Sequence, residues 1–421
     1  VGDPEVAIDG EGGAVRTALF EGPGLWLLSV VRAPGATAFP AVRVSVDGGP
    51  PVIVTLPLPD RGRFLVRTRA RRVAFAFHAG DVASVTVERV GLRNLAGLAR
   101  WRRKDFRLRG EIAAGVTVMP LFWAAGGESR GLAAGLRLLD RWGFGLGTRS
   151  FQETAALFDP SPEVRPAGVA GAPRFGIVLH LYYADLWPEL RAWLAALRPP
   201  FDLVVTTPPE NAALGARVAA DFPGAEIRIM ENRGRDVGPF VELLGEGRFD
   251  SWPLLLKIHG KRSGNAGPRA LLGDAWRKAS FDDLLGGDAR VEEILRRFAA
   301  HPHLGMAGPA RFRIPGGPVT MRRPFGLNQA TTLALAARMG IPPATFRLDF
   351  FAGTMFWARP QALAPLKELG LRLADFPAAA GPEDGALQHA VERVFAASVV
   401  KAGMQVEDVP PRYAQRAWGG R

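Results

Sequence analysis

Four largely apolar runs, interleaved with helix-forming stretches, constrain this chain more than any other feature. They are "FGIVLHLYY" (Phe175 to Tyr183), "FDLVVTT" (Phe201 to Thr207), "AEIRIMEN" (Ala225 to Asn232) and "PLLLKIHG" (Pro253 to Gly260). A strand with one wet face alternates polar and apolar side chains, whereas a strand buried on both faces reads as a continuous apolar run. "WPELRAWLAALR" and "ENAALGARVAADF" supply helices between the runs. Strands that alternate with helices pair in parallel, so the expected core is α/β, a mainly parallel sheet of nucleotide-binding type flanked by helices. Ligands of such open sheets sit beyond the carboxyl ends of the strands. The polar residues that close each apolar run are therefore the first place to look for chemistry.

The chain ahead of this core reads differently. "AVRVSVDGGPPVIVTLPLP" alternates Val42, Val44 and Val46 with polar residues, breaks at Gly48 to Pro51 and resumes at Val52; "RRVAFAFHAGDVASVTVERV" repeats the pattern. Short alternating strands at regular spacing predict a small all-β sandwich over residues 1–95. Residues 96–172 read as a helical and Gly/Pro-rich connector that ends in "DPSPEVRPAGVAGAPR", which places the third region at 173–421. With 421 residues, two or three domains are expected.

Charge narrows the partners. The formal net charge is +12, concentrated in "RGRFLVRTRARR" (Arg61 to Arg72) and "RWRRKDFRLR" (Arg100 to Arg109). Neither stretch carries a helix-turn-helix, zinc-finger or RNP-type pattern, so nucleic acid is not the expected partner. Anionic lipid fits the basic clusters, since each basic residue near such a surface adds about 1 kcal/mol. With no cysteine, thiolate metal sites and Cys nucleophiles are excluded. The sequence holds neither a long apolar span nor a signal-like start, and the expected location is cytoplasmic, peripheral at the inner face of the plasma membrane.

At the strand ends stand His180, Tyr182 and Tyr183; Thr206 and Thr207; Glu231, Asn232, Arg233, Gly234, Arg235 and Asp236; and Lys257, His259, Lys261 and Arg262. Arginine forks and lysine point charges on adjacent strands suit a diphosphate, and Gly234 lets backbone approach a ligand. Asp236 has three readings: it orients the arginines, accepts a sugar hydroxyl, or serves as the reserve ligand for a metal ion. Further along, "DFFAGTMFWARPQAL" offers Asp349, Gly353, Thr354 and Trp357 as a sugar or acceptor pocket, or else a buried strand. "GPEDGALQHAVERVF" reads as a helix start at Pro382, with Glu383 and Asp384 at its positive end and Gln388, His389, Glu392 and Arg393 opposite its apolar stripe. A carboxylate there is either a cap or a general base for a sugar hydroxyl.

Taken together, "ENRGRDVGPF", "LLLKIHGKRS" with "AWR", "GMAGP", "NQ", "FFAGTMFWARPQAL" and "EDGALQHAVERVF" resemble the rhamnan synthesis protein F family over roughly residues 175 to 400. The resemblance implies a glycosyltransferase with a fold similar to the GT-A type. It further implies a nucleotide-diphosphate sugar donor like dTDP-rhamnose and a lipid-linked glycan acceptor of a growing bacterial cell-surface polysaccharide. Gly260 departs from the family, where a Thr is commoner in the K-x-H-x-K motif. Many GT-A enzymes hold Mn²⁺ or Mg²⁺ with acidic residues where this chain has "KIHGKRS", so cations are expected to neutralise the leaving diphosphate and no cofactor is required. In the expected mechanism Asp384, with Glu383 as alternate, is the base; Arg233, Arg235, Lys257 and Lys261 hold the diphosphate; His259 bonds to it; Asp349 and His389 shape the pocket. Two rivals stand beside this reading: a non-catalytic carbohydrate-binding or scaffold protein, and a phosphohydrolase built on Asp236, His259, Asp384 and His389.

Overall fold

The computed structural model describes residues 6–8, 14–34, 41–56, 58, 61–90, 110–113, 115–120, 174–260, 268–314, 324–378 and 384–411. The chain divides into two compact units, Val1–Pro160 with Arg262–Lys278, and Ser161–Lys261 with Ala279–Arg421.

Among the described residues the first unit holds ten strands: β1 (Val6–Ile8), β2 (Ala14–Glu21), β3 (Gly24–Arg32), β4 (Ala41–Val46), β5 (Val52–Thr55), β6 (Arg61–Thr68), β7 (Arg72–His78), β8 (Val82–Arg89), β9 (Gly110–Ala113) and β10 (Val116–Pro120). They form two five-stranded sheets, ordered β1-β2-β7-β4-β5 and β8-β3-β6-β10-β9, in which every pairing is antiparallel. The alternation seen in sequence becomes burial: Val73, Phe75 and Phe77 of β7 and Phe64 and Val66 of β6 are all buried. Phe20 of β2 meets Trp26 of β3 edge-on at 6.1 Å, joining the inner faces of the two sheets. Strands β9 and β10 come from the stretch read as connector, and the remainder of that connector lies outside the described residues.

The second unit holds a seven-stranded sheet. Its strands are β11 (Phe175–His180), β12 (Phe201–Thr207), β13 (Glu226–Ile229), β14 (Leu255–His259), β15 (Leu304–Pro309), β18 (Phe356–Ala358) and β19 (Gln405–Val409), in the order β13-β12-β11-β14-β18-β15-β19. The pairings β11–β12, β11–β14, β12–β13 and β15–β19 are parallel, and β18 runs antiparallel to both β14 and β15. A separate pair, β16 (Arg313–Ile314) with β17 (Phe350–Phe351), lies outside the main sheet. The helices among the described residues are α1 (Trp187–Ala195), α2 (Ala212–Asp221), α3 (Val237–Gly245), α4 (Pro268–Leu285, in this unit from Ala279 on), α5 (Asp288–Ala300), α6 (Gln329–Arg338), α7 (Ala364–Lys367), α8 (Leu387–Glu392) and α9 (Phe395–Lys401).

Two apolar clusters cover the two faces of this sheet, as continuous apolar strands require. Val178, Val204, Leu255 and Phe356 join Phe240 of α3 and Phe395 of α9 on one face. Ile177, Leu179, Val205, Leu256, Ile258 and Trp357 join Trp187, Phe281 and Phe298 on the other. Because side chains alternate along a strand, Lys257 and His259 share the face of Leu255, and His180 and Thr206 share it with Val178 and Val204. One correction concerns the last helical region. The helix expected from Pro382 begins at Leu387, and its run ends at Glu392 before α9 starts. Asp384 therefore stands in the turn that precedes α8 and not in its first turn.

Candidate functional site

The parallel register sets three polar residues side by side at the carboxyl edge of the sheet. His180 of β11 pairs with Thr206 of β12 on one side and with His259 of β14 on the other. The His180 Nδ1 and Thr206 Oγ1 atoms are hydrogen-bonded at 2.9 Å. Burial disfavours a charged imidazole and the Lys257 ammonium adds to that effect; Asp236 opposes both, and the pKa of His180 still falls to about 4. At neutral pH His180 is an uncharged donor and acceptor at the floor of the edge.

Beside these residues lies a buried ion pair. Lys257 is 1% exposed, and its Nζ donates to Asp236 Oδ2 at 2.5 Å, to the Thr354 carbonyl at 3.0 Å and to Thr354 Oγ1 at 3.0 Å. These three acceptors use the three donors of an ammonium. Lys257 therefore is not the mobile phosphate-binding charge expected from sequence; it fixes Asp236. The Thr354 hydroxyl donates to the same carboxylate oxygen at 2.5 Å. Burial alone would raise the Asp236 carboxyl, but the charges of His259 and Lys257 and the hydrogen bonds from Lys257 and Thr354 outweigh it and hold the group ionised, well below the usual carboxylate range.

The backbone on both sides of this knot is strained. Of the three non-glycine residues with positive φ among the described residues, Arg235 (56°) precedes Asp236 and Thr354 (53°) is the other partner of its carboxylate. Each follows a glycine with positive φ, Gly234 at 64° and Gly353 at 89°. At Gly234 a side chain is also sterically barred, since a Cβ would lie 2.5 Å from the Phe376 ring. Left-handed conformations of non-glycine residues cost of order 1–3 kcal/mol and gather at functional sites. Gly353 is gripped twice: its N–H donates to Glu392 Oε1 of α8 at 2.7 Å, and its carbonyl accepts from His259 Nε2 at 2.7 Å.

The remaining sequence candidates separate into those near this knot and those committed elsewhere. Arg235 is exposed, and no hydrogen bond or ion pair among the described residues engages its side chain. It nonetheless acts on His389, whose pKa falls to about 4 through burial first and the fields of Arg235 and Arg393 next, against Asp384 and Asp236. His389 Nδ1 accepts the Ala386 N–H at 3.3 Å, which leaves Nε2 as the N–H donor. Asp384 accepts the Leu327 N–H at 3.0 Å and the Asn328 Nδ2 donor at 2.5 Å. Burial raises its pKa, and hydrogen bonds from Leu327, Asn328 and Gly385 together with the Arg393 charge more than reverse this, so it is lowered. Asp384 thus latches the 384–386 turn to the start of α6.

Arg233 pairs with Glu231 at 2.7 Å and donates to the Phe376 carbonyl at 3.0 Å, while the Gly234 N–H donates to the Pro377 carbonyl at 3.1 Å. These contacts pin the loop and turn Arg233 and Glu231 toward structure; Asn232 between them is half-buried. Tyr182 is half-buried, stacked edge-on against Tyr183 at 4.9 Å. Asp349 forms a bidentate pair with Arg313 at 2.9 and 2.6 Å, and Arg313 reaches Asp408 at 3.1 Å, so that carboxylate closes an ion-pair chain instead of lining a sugar pocket. Trp357 is fully buried on the opposite face of the sheet, its indole N–H donating to the Leu284 carbonyl at 3.1 Å, and it cannot stack on a sugar. Lys261, Arg262 and Glu383 lie outside the described residues. The residues that sequence reasoning left without a role are His180 and Glu392. The signal for His180 was its place at the end of the first apolar run; for Glu392 it was the one-turn spacing from His389.

A carboxylate, an ammonium and the imidazoles of His180 and His259 thus gather at the carboxyl edge of a mainly parallel α/β sheet. The chain belongs to the rhamnan synthesis protein F family, whose model matches residues 163–404. Membership associates it with polysaccharide synthesis. It is 30% identical over 260 residues to the uncharacterized protein WxcX of Xanthomonas campestris pv. campestris (strain B100), a match covering 58% of this chain and 36% of that protein. WxcX of strain ATCC 33913 matches to the same extent. The chain therefore spans well under half the length of these relatives. Among solved structures, a CBM35 from Cellvibrio japonicus Abf62 aligns at 18% identity, covering 21% of this chain and 87% of that one with a TM-score of 0.15. A Xyl-CBM35 in complex with a glucuronic acid containing disaccharide aligns at 19% identity, covering 21% and 84%, also with a TM-score of 0.15.

Proposed function

We propose that the second unit is a glycosyltransferase of GT-A-like architecture that moves a sugar, rhamnose or another deoxyhexose, from a nucleotide diphosphate donor to a growing bacterial polysaccharide. The observation that carries the reading is the Asp236–Lys257–Thr354 knot at the carboxyl edge of the parallel strands. Its carboxylate is ionised, its backbone is strained, and an exposed Arg235 stands next to it. Asp236 is anchored by Lys257 and Thr354 through one oxygen; an acceptor-only carboxylate at such an edge suits a sugar or ribose hydroxyl. Arg235 supplies a fork for the diphosphate; Lys261 and Arg262 are the further candidates that the sequence offers for it. The neutral His389 offers its Nε2 proton to the same anion.

Transfer then proceeds by displacement at the anomeric carbon. The acceptor hydroxyl oxygen forms the new bond, the bond to the diphosphate oxygen breaks, and the hydroxyl proton passes to a carboxylate. Asp384 is the base assigned, since each of its oxygens keeps a second lone pair. Metal-independence is part of the proposal, with arginine and lysine neutralising the leaving group. The cytoplasmic face of the membrane is the location this chemistry requires, because nucleotide sugars and lipid-linked acceptors meet there; no helix among the described residues is long and apolar enough to cross a membrane.

The decisive experiment is a panel of nucleotide sugars tested for thermal stabilisation and for label transfer to a lipid-linked glycan, with and without divalent metal. One donor is expected to raise the apparent Tm by mass action and to be consumed. Stabilisation by glycans alone, with every nucleotide sugar inert, would replace the enzyme with a carbohydrate-binding scaffold. Transfer lost in EDTA and restored by Mn²⁺ would overturn metal-independence and return Asp236 to consideration as a ligand.

A further inference from the structure

The register of the first unit sorts the "RGRFLVRTRARR" arginines by face. On β6 the residues Gly62, Phe64, Val66 and Thr68 turn inward, and Arg61, Arg63 and Arg67 are exposed on the outer face of the second sheet. Their cross-strand partners on β3 are Val31, Ser29 and Leu25, and between them Leu27 faces Leu65. The outer face of these two central strands is therefore a lattice of arginine and half-buried aliphatic side chains, three arginines with Leu25, Leu27, Val31 and Leu65. None of the three arginines has an ion-pair partner among the described residues. On the neighbouring strand β8, Thr86 lies opposite Ser29 and Glu88 opposite Leu27. Glu88 is the one acid among the described side chains of this face.

We propose that this outer face docks on an anionic bilayer surface. Unpaired guanidinium groups meet lipid headgroups, and their aliphatic stems lie along Leu25, Leu27 and Leu65 as those side chains approach the acyl boundary. The mixture decides between polyanions. A soluble nucleic acid is gripped by basic residues interleaved with aromatic stacking platforms, whereas this face interleaves its arginines with aliphatic side chains. Its aromatic neighbour Trp26 turns inward against Phe20. Each basic residue at such a surface contributes about 1 kcal/mol, so three give an effect on the order of a hundredfold in partitioning. The inference is independent of the chemistry assigned to the second unit.

The test is co-sedimentation of the full chain with vesicles of phosphatidylglycerol and phosphatidylcholine in equal parts, against vesicles of phosphatidylcholine alone. Binding is expected only to the anionic vesicles, weakening strongly at about 0.5 M salt as screening shortens. Arg61→Gln, Arg63→Gln and Arg67→Gln together should weaken it roughly a hundredfold. Removing three exposed arginines of the second unit, Arg217, Arg296 and Arg347, lowers net charge equally and should change it by less than about threefold, because the effect belongs to a surface within one Debye length. Should the triple variant lose its circular-dichroism signature, Arg63→Gln alone, expected roughly fivefold weaker, carries the test. Equal losses in the two triple variants, or no binding to anionic vesicles, overturn the proposal. So does capture of DNA or an acidic polysaccharide with vesicles left unbound, which would give the face to a soluble polyanion.

Discussion

Two of the buried acid–base pairs described in the second unit have opposite surroundings. Asp283 of α4 and Arg311, which follows β15, form a bidentate pair at 2.7 and 2.8 Å, with side chains 0% and 6% exposed. Asp236 and Lys257 meet through one carboxylate oxygen, with Asp236 13% exposed, two left-handed non-glycine residues beside it and His180 and His259 next to it. The first pair is closed: two fork nitrogens meet two oxygens, and no described non-glycine residue beside it has positive φ. The second is open, since Lys257 and Thr354 share one oxygen and the other is left for something else. Burial of charge is costly in both, so burial alone does not distinguish them; the unspent valence and the strain set the proposed site apart.

Removing one partner should hurt both pairs to a similar degree and thereby test the shared half of the comparison. Asp283→Ala leaves the Arg311 guanidinium buried and uncompensated, a loss of about 3–5 kcal/mol in urea denaturation. Asp236→Ala should fall at the lower end of about the same range, because Lys257 keeps its two bonds to Thr354. The distinction appears when both partners become apolar. Asp283→Leu with Arg311→Met should recover most of the stability and keep nucleotide-sugar binding and transfer. Asp236→Leu with Lys257→Met should recover stability and lose both activities. A doubly apolar variant at Asp236 and Lys257 that still transfers sugar would reduce the open pair to a structural element like its counterpart.

Titration offers a second separation, because among the described residues the open pair has histidines of lowered pKa in its field. His180 and His389 each have a folded-state pKa of about 4 against an ordinary value of 6.5. Between those values the unfolded chain binds more protons than the folded one, so stability is full above the upper value and is lost as pH falls through the window. Each histidine should contribute a slope of up to about 1.4 kcal/mol per pH unit there. His180→Asn should flatten the profile between pH 4 and 6.5. If wild type and His180→Asn show the same slope over that range, His180 is not held neutral in the fold and the polar floor of the edge has another character.

How far the sequence discloses this arrangement depends on the range of the forces involved. The apolar runs at Phe175, Phe201 and Leu255 reappear as β11, β12 and β14 because two-faced burial leaves a periodicity that can be read locally. The edge residues His180, Thr206 and His259 follow from the same reading. What could not be read is which cation is spent inside the protein. Lys257 is neutralised by a residue 21 positions earlier and held by one 97 positions later, and Arg233 by the backbone 143 positions on. Trp357 and Asp349 were misplaced for a related reason. The choice of sheet face for Trp357, and the pairing of Asp349 with Arg313, are settled by antiparallel insertion of β18 and by the small β16–β17 pair, both non-local. Asp384 stood near a helix start in sequence, but α8 begins later, and the carboxylate accepts one hydrogen bond on each oxygen, from Leu327 and from Asn328.

The smallest effect concerns the strain itself and sharpens the comparison most. Arg235 holds φ at 56°, a conformation that glycine adopts without penalty, and relief of that strain should stabilise the fold by about 1 kcal/mol. Arg235→Gly should therefore raise the Tm slightly while weakening nucleotide-sugar binding roughly tenfold to a hundredfold, the worth of a charge-assisted hydrogen bond. Arg235→Ala keeps the strain and removes the fork, so it should lose binding to the same extent without the gain in Tm. Around Asp283 and Arg311 no described non-glycine residue has positive φ, and no substitution there should stabilise the fold at the expense of binding. A gain in stability and a loss of binding from one residue is what a strained ligand-facing side chain produces. Were Arg235→Gly to leave nucleotide-sugar binding unchanged, the strain would belong to the entry turn of α3, and the anion contact would have to be sought among Lys261 and Arg262.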